Sequence, residues 1–486
     1  MGKKPGKATV LIGLQYGDEG KARVMDTLLG DYDIVARFNG GPNAGHTLNV
    51  GNVKIALHQI PSGIFYDNMK LYIGSGCVLN PVKMLNEIKE INSNNIGIDN
   101  RLFISGYVTL IQPHHIVFDE IFGREIGSTS NGIGPAYADR FLRAKKNDIK
   151  NIRLGDYLSS PGKFKAQISE NLEKIITKHD LRNLESKPLS EQSKNVIRQF
   201  LDVEKTIDKF NESALVIEKY LCKNPMMMQE WAESGKNIFF EGAQSIMLDC
   251  VTGMTPYVTS SSTVAAAAYV GGDLPNKYHH KTLGVAKAIT SRVGHGPFVS
   301  EFESERSEHY WAEGNGFAHT YEKELSQWDP KQLIKSYDTF HIGIALRMLT
   351  GEYGATTTKP RRIGMLDLVM LKQNCKLNGV DELFINKFDC LTLYERTQLP
   401  GIPLVIAYQL DGKQIDYMPS YIEEMKRVKP IVKYMPLIHD DISGMRKYEE
   451  LPGEAKELVR FIEKHVGTRI GGIGVGPERE QLIKIS

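Results

Sequence analysis

The chain has 486 residues, a formal net charge of +2, 41% hydrophobic and 24% charged residues, enough for a large core in an ordinary soluble protein. Near-neutral charge gives no reason to expect nucleic acid, though local basic clusters can still serve phosphates. No apolar run approaches membrane-spanning length, Met1-Gly2-Lys3-Lys4-Pro5 lacks a signal-peptide core, and the five scattered cysteines (Cys77, Cys222, Cys250, Cys375, Cys390) fit reduced thiols in a cytoplasm.

The apolar run Thr9 to Leu14 reads as a buried strand. Gly17-Asp18-Glu19-Gly20-Lys21 follows, and Ala22 to Leu29 reads as a helix. Strand, glycine loop and helix form an anion site, because free backbone N–H groups and the positive helix end face the ligand. Lys21 would add a mobile point charge. Asp18 is the odd member: beside phosphates a carboxylate repels unless it holds a cation or a proton, and otherwise it caps the helix. The Walker spacing is missing.

Asp33 to Arg37 is a second strand, leading into Phe38-Asn39-Gly40-Gly41-Pro42-Asn43-Ala44-Gly45-His46-Thr47. Asn43 and Thr47 supply donors there, and His46 supplies a titratable ring, an acid candidate near an Asp-bearing phosphate loop. Residues 8–75 read as β-loop-α-β elements. Pro81 to Ile91 is helical, and Arg101 to Tyr107 is a short strand. Gly123 to Tyr137 is too polar for core and reads as a functional loop.

From about 139 to 236 the composition turns charged and helix-forming, a helical excursion flanking the sheet; Lys178 to Lys194 is its least patterned and most solvated part. The sheet pattern resumes at Asn237 to Phe240, Thr282 to Ala288, Leu383 to Ile385 and Pro403 to Tyr408. Pro452 to Val466 reads as an amphipathic helix, with Leu458, Phe461 and Ile462 on one face. In Asn386-Lys387-Phe388-Asp389 the Asp389 carboxylate can accept guanine N1–H and its 2-amino group, and the Lys387 stem can cover the base. Alone, the same four residues are an ordinary strand-end turn.

Together these pieces resemble the adenylosuccinate synthetase family. The matching stretches are Gln15 to Lys21, Asn43 to Thr47, Leu57-His58-Gln59-Ile60-Pro61-Ser62-Gly63, Gly132 to Tyr137, Glu241-Gly242-Ala243-Gln244, Pro256 to Ser261, Arg292-Val293-Gly294, Pro360-Arg361-Arg362 and Lys387-Phe388-Asp389. They lie in order along nearly the whole chain.

The resemblance implies one large α/β domain over residues 1–486, with a mainly parallel central sheet, flanking helices and the excursion at about 139–236. It implies GTP-dependent ligation of L-aspartate to IMP through a 6-phosphoryl purine, in a cytoplasmic homodimer. Asp18 matches the base and a Mg²⁺ ligand, with the Gly45 carbonyl as another, and His46 matches the acid. Lys21 and Gln244 complete the catalytic set. Asn43 matches a substrate contact, Thr129, Gln244 and Thr259 match IMP contacts, and Arg143 reaches the IMP of a partner subunit. Thr357, Thr358 and Lys359 lie in the aspartate loop. Gly17, Gly20, Lys21, Thr47, Arg361, Lys387, Asp389, Gly474 and Gly476 match GTP contacts.

The sequence also departs from the family pattern. Ala22 and Ser245 replace glycines, Met254-Thr255 replaces a Thr-Tyr pair, and Ser128, Ser130 and Asn131 replace a threonine and basic residues. Lys359 stands where arginine is usual. The altered purine-side positions leave open a relative that aminates another 6-oxopurine nucleotide such as dGMP, against which Asp18 speaks. A GTP-binding regulatory protein without ligase activity is the reading of a different class.

Overall fold

A computed structural model describes residues 4–43, 46–50, 53–123, 128–142, 150–313, 318–354 and 358–485, with 46–50, 53 and 54 by backbone alone. The fold is α/β, with a large, mainly parallel sheet and flanking helices. The chain forms two compact units, Met1–Val10, Leu28–Ala243 and Thr259–His280 in the first and Leu11–Thr27, Gln244–Val258 and Lys281–Ser486 in the second. The strand Ala8–Gly13 gives residues to both.

In the first unit the strands Ile238–Ser245, Ile34–Arg37, Lys70–Ile73, Leu102–Ser105 and Leu221–Cys222 lie side by side, all parallel. Ile34, Val35 and Ala36 are all buried, the unbroken apolar run of a parallel strand covered on both faces. The helix Pro81–Ser93 starts where expected: Asn80 caps it by accepting the Lys83 N–H at 3.1 Å, and proline opens the first turn. It buries Met84, Ile88 and Ile91 at helical spacing.

Two expectations need correction here. The stretch Gly123 to Tyr137 is not all loop, because Gly132, at φ 71°, turns the chain into the helix Ile133–Phe141, which buries Ile133, Ala136 and Tyr137. Lys178 to Lys194 is not merely a solvated run either. It holds the 3-10 helix Leu181–Ser186 and the start of Glu191–Arg198, anchored by buried Leu181, Leu184 and Ile197.

In the second unit the order is Leu482–Lys484, Arg469–Gly474, Glu382–Asn386 and His279–Lys287, followed by the end of Ala8–Gly13; Leu482–Lys484 is the antiparallel edge. The strand Ile402–Leu410 does not extend this sheet. It pairs with Leu366–Asp367, Lys413–Ile415 and Lys429–Met435 in a sheet of its own. Asp411 and Gly412, at φ 49° and 82°, make a two-residue hairpin turn that returns the chain antiparallel as Lys413–Ile415. The helix Gly453–Val466 buries Leu458, Val459, Ile462 and Val466, while Phe461 sits at the edge of that face. Among the described residues, no helix is long and apolar enough to cross a membrane.

Candidate active site

The loop after Ala8–Gly13 takes an unusual path. Gly17, Asp18 and Gly20 have φ of 98°, 57° and 81°, a conformation free to glycine but strained for aspartate by about 1 kcal/mol. Glu19, fully buried, fixes that path from inside. Its carboxylate accepts the Gln15 N–H at 3.2 Å, the Gly17 N–H at 2.8 Å, the Ser245 hydroxyl, and the Lys21 ammonium at 3.0 Å. Gly13 must be glycine, since a Cβ there would lie 1.9 Å from Ser245 Oγ and 2.4 Å from Glu19 Oε2.

Lys21 is therefore not a mobile charge. It is 5% exposed and held between Glu19 and the Gln244 carbonyl, 2.7 Å away. Nor is Asp18 a helix cap: Gly20 occupies the N-cap of the short helix Lys21–Asp26, which has no side-chain cap. Asp18 is half exposed, and its Oδ2 lies 2.6 Å from Arg361 Nη2. Ser245 has its own task here, as a donor to Glu19. Gln244, also left-handed at φ 57°, has a buried side-chain oxygen with no donor among the described residues.

Arg361 leads from Asp18 into a buried charge cluster. Its Nη1 donates to Glu352 Oε2 at 2.8 Å, and Lys287 donates to the same oxygen at 3.0 Å. Lys387 donates to Glu352 Oε1 and, at 2.8 Å, to the Thr350 carbonyl. Burial opposes ionisation of Glu352, yet Lys287, Lys387 and Arg361 hold its carboxyl well below the usual range. Burial likewise disfavours the Arg361 charge, but Asp18 and Glu352 raise its pKa.

The strand Glu382–Asn386 ends beside this loop. The Asn386 side-chain amide donates to the Glu19 carbonyl at 2.7 Å and the Gly20 carbonyl at 3.2 Å. The next residue, Lys387, is left-handed at φ 57°, and the Phe388 N–H bonds the Gly474 carbonyl at 2.8 Å. A Cβ on Gly474 would meet Asn386 Oδ1 at 2.6 Å and Arg23 Nη1 at 2.7 Å; one on Gly476 would meet Gln481 at 2.2 Å. Burial pushes the Asp389 carboxyl up, opposed by its own backbone N–H, Arg23 and Lys387. Gly17, Gly20, Lys21, Arg361, Lys387, Asp389, Gly474 and Gly476 all belong to the second unit.

Lys359 is partly buried; its carbonyl accepts the Gly354 N–H at 2.8 Å, and Thr358 before it has φ 53°. Gly45, Arg143 and Thr357 lie outside the described residues, as do the side chains of His46 and Thr47, whose backbones belong to the strand His46–Val50.

The first unit carries Asn43, Thr129 and Thr259. Asn43 Oδ1 accepts the Gly41 N–H at 3.4 Å. Thr129 is exposed and accepts from Asn131 Nδ2 at 2.9 Å, while Asp119 fixes its loop by accepting the Ser128 hydroxyl at 2.7 Å and the Gly132 N–H at 2.9 Å. Thr259 is partly buried. Asn39 exchanges hydrogen bonds with Ala243, at 2.9 and 3.1 Å, and so holds the end of Ile238–Ser245.

Two places invite a cation test. Asp18 is half exposed with one oxygen on Arg361, so a carboxylate oxygen remains for a hard cation that prefers oxygen ligands. The cluster His114, His115 and Asp139 has metal-ligand composition but the wrong protons. His115 Nδ1 accepts the Gln112 N–H at 3.0 Å, so its Nε2 carries the proton and donates to Asp139.

A profile described as adenylosuccinate synthetase matches residues 10–483. The chain belongs to this family. Named relatives include adenylosuccinate synthetase 2 of Cupriavidus pinatubonensis, 38% identical over 99% of this chain and 97% of its own. Adenylosuccinate synthetase of Acetivibrio thermocellus is 36% identical over 98% of this chain and 99% of its own. Among solved structures, fully ligated adenylosuccinate synthetase from Plasmodium falciparum superposes with a TM-score of 0.79 at 30% identity, covering 99% of this chain and 100% of that one. Succinoaminodeoxyadenylate synthetase of cyanophage S-2L, bound to dGMP and dATP, shares the fold at 15% identity and a TM-score of 0.56, over 99% and 96% of the chains. The chain is accordingly an enzyme of the ligase class, a nucleotide-binding member of a purine-biosynthesis family.

Sequence reasoning missed Glu19, Glu352 and Lys287, which touch the expected site residues from behind. Only Glu19, inside a matched motif, had a signal that could have singled it out.

Proposed function

We propose that the chain ligates L-aspartate to IMP at the expense of GTP, giving adenylosuccinate, GDP and phosphate. The observation that carries this reading is the strained, half-exposed Asp18 carboxylate held on Arg361 in the loop that also fixes Lys21. An accessible carboxylate held in one place can act as a general base.

In this reading Asp18 removes the N1 proton of IMP, and the 6-oxygen attacks the γ-phosphorus of GTP. GDP leaves as the new oxygen–phosphorus bond forms. The aspartate amine then attacks C6 and expels phosphate, so a poor leaving group has become a good one. Phosphoryl transfer depends chiefly on positioning and charge neutralisation, the roles given to Lys21, Gln244 and the acid His46. Asp18 and the Gly45 carbonyl would hold Mg²⁺, which neutralises charge on phosphate oxygens when bound.

Asn43, Thr129, Gln244 and Thr259 hold IMP, with Arg143 contributed across a homodimer. A chain that sediments as a monomer during turnover would contradict that shared site. Gly17, Gly20, Lys21, Thr47, Arg361, Lys387, Asp389, Gly474 and Gly476 hold GTP, with the Asp389 carboxylate on guanine. Thr357, Thr358 and Lys359 receive aspartate. The setting is a reducing cytoplasm, where all five cysteines stay free.

Isotope transfer tests the reaction. IMP labelled with ¹⁸O at position 6 should deliver its label to inorganic phosphate, one atom per adenylosuccinate formed. Label released into water instead would mean direct displacement at C6 without a phosphorylated oxygen.

A further inference from the structure

Glu352 has no role in the proposed reaction, yet it touches more of the proposed machinery than any substrate-facing residue described above. It follows Gly351, whose φ of 66° ends the helix Thr339–Thr350, and it is 1% exposed. Its backbone is fixed on both sides, the N–H on the Arg347 carbonyl and the carbonyl on the Arg361 N–H, each at 2.9 Å. Its carboxylate accepts from Lys287 at 3.0 Å, Ser291 at 2.8 Å, Arg361 at 2.8 Å and Lys387.

Neutralising a buried lysine would need only one of these contacts. Instead three cations converge on this one carboxylate, and Arg361 spends its other terminal nitrogen on Asp18 at 2.6 Å. With Asp18 counted, three cations face two carboxylates, leaving a surplus positive charge that suits a polyanion. The two cations Glu352 shares with the proposed GTP site thereby each have two acceptors: Arg361 has Glu352 and Asp18, and Lys387 has Glu352 and the Thr350 carbonyl. A long, flexible side chain held at two points presents its charge in one place, and that is what a phosphoryl-transfer site requires.

We propose that Glu352 is a positioning residue, one buried carboxylate that sets Arg361 against Asp18 and Lys387 at the head of the guanine pocket. It thereby couples placement of the phosphoryl donor to placement of the base. The inference rests on the reading of the site given under Proposed function. Glu352 itself touches no substrate; it acts through Arg361 and Lys387.

Three variants decide the matter. Glu352→Gln keeps the volume but removes the charge and places an N–H donor among cations. It should raise the KM for GTP by about tenfold or more and lower kcat by roughly 10- to 100-fold, with the KM for IMP within about twofold of wild type. A fluorescent GDP analogue, titrated without turnover, should bind about tenfold more weakly. Glu352→Asp keeps the charge on a stem too short to reach every donor and should fall between the two. Pairing Glu352→Gln with Lys287→Met restores charge balance but not the anchor, so GTP use should stay impaired. If Glu352→Gln does not fold, this balanced double variant carries the test. Recovery of wild-type KM for GTP and kcat in the double variant would reduce Glu352 to a counter-ion and overturn the proposal, as would an unaltered single variant. A wild-type chain inactive on every purine nucleotide would instead overturn the reading of the site.

Discussion

In the proposed reaction Asp18 is the residue on which the chemistry turns, and its surroundings distinguish it from an ordinary loop residue. It caps no helix and is not buried, and a left-handed backbone holds it against Arg361. Asp18→Asn keeps size and loop path but removes the proton acceptor, so kcat with IMP should fall by at least ~10², with a much smaller change in GDP affinity. Stopped-flow or steady-state kinetics beside nucleotide titration would check this, and a variant with near-wild-type kcat would leave Asp18 no part in proton transfer. Asp18, Lys21 and Asp389 stand out as candidates in the sequence because they sit inside short, recognisable strings. Glu352 was illegible because two of its three cationic partners are distant: Lys287 is 65 residues away and Lys387 is 35. Neither the left-handed backbones at Asp18, Gln244 and Lys387 nor the pinning of Lys21 can be read from residue type, because packing imposes them.

At the scale of elements, strands and amphipathic helices were legible where apolar spacing was regular, as in Ile34–Arg37, Pro81–Ser93 and Gly453–Val466. The sheet to which a strand belongs was not. Ile402–Leu410 is as apolar as a central parallel strand, and Asp411-Gly412 after it marks only its hairpin with Lys413–Ile415. The helix Leu368–Asn378, which follows Leu366–Asp367 in that smaller sheet, offers a stability test. Asp367 caps it by accepting the Val369 and Met370 N–H groups at 3.1 and 3.0 Å, and it also accepts the Tyr408 hydroxyl at 2.5 Å. Burial nevertheless lifts its carboxyl to about 6, outweighing those donors. A carboxyl raised in the folded state holds its proton more tightly there than in the unfolded chain. Its contribution is complete below the ordinary carboxyl pKa and is lost as pH rises through about 6. The loss amounts to about 3 kcal/mol. Asp367→Asn cannot ionise, so its stability relative to wild type should rise by roughly that amount between acid and neutral pH. Thermal melts of both proteins across that range would check it, and parallel pH profiles would show that Asp367 ionises without cost.

For the whole molecule, the α/β class and the mainly parallel sheet were implied by the family resemblance, and both units have that architecture. Family membership rests on matches along nearly the entire chain. What family membership leaves for experiment is the choice of purine and donor. Ser245, one of the departures from the expected family pattern, donates to Glu19 in the loop before Lys21–Asp26, which removes one reason to expect a 2-amino purine. Ser128 likewise serves its own loop by donating to Asp119. The most direct measurement is a turnover assay of the purified chain with aspartate, offering IMP, dIMP, GMP and dGMP against GTP and ATP in every combination. The account predicts product from IMP with GTP, with the 2-amino nucleotides and ATP far behind. Product from dGMP alone, or an ATP preference with Asp389 intact, would contradict it.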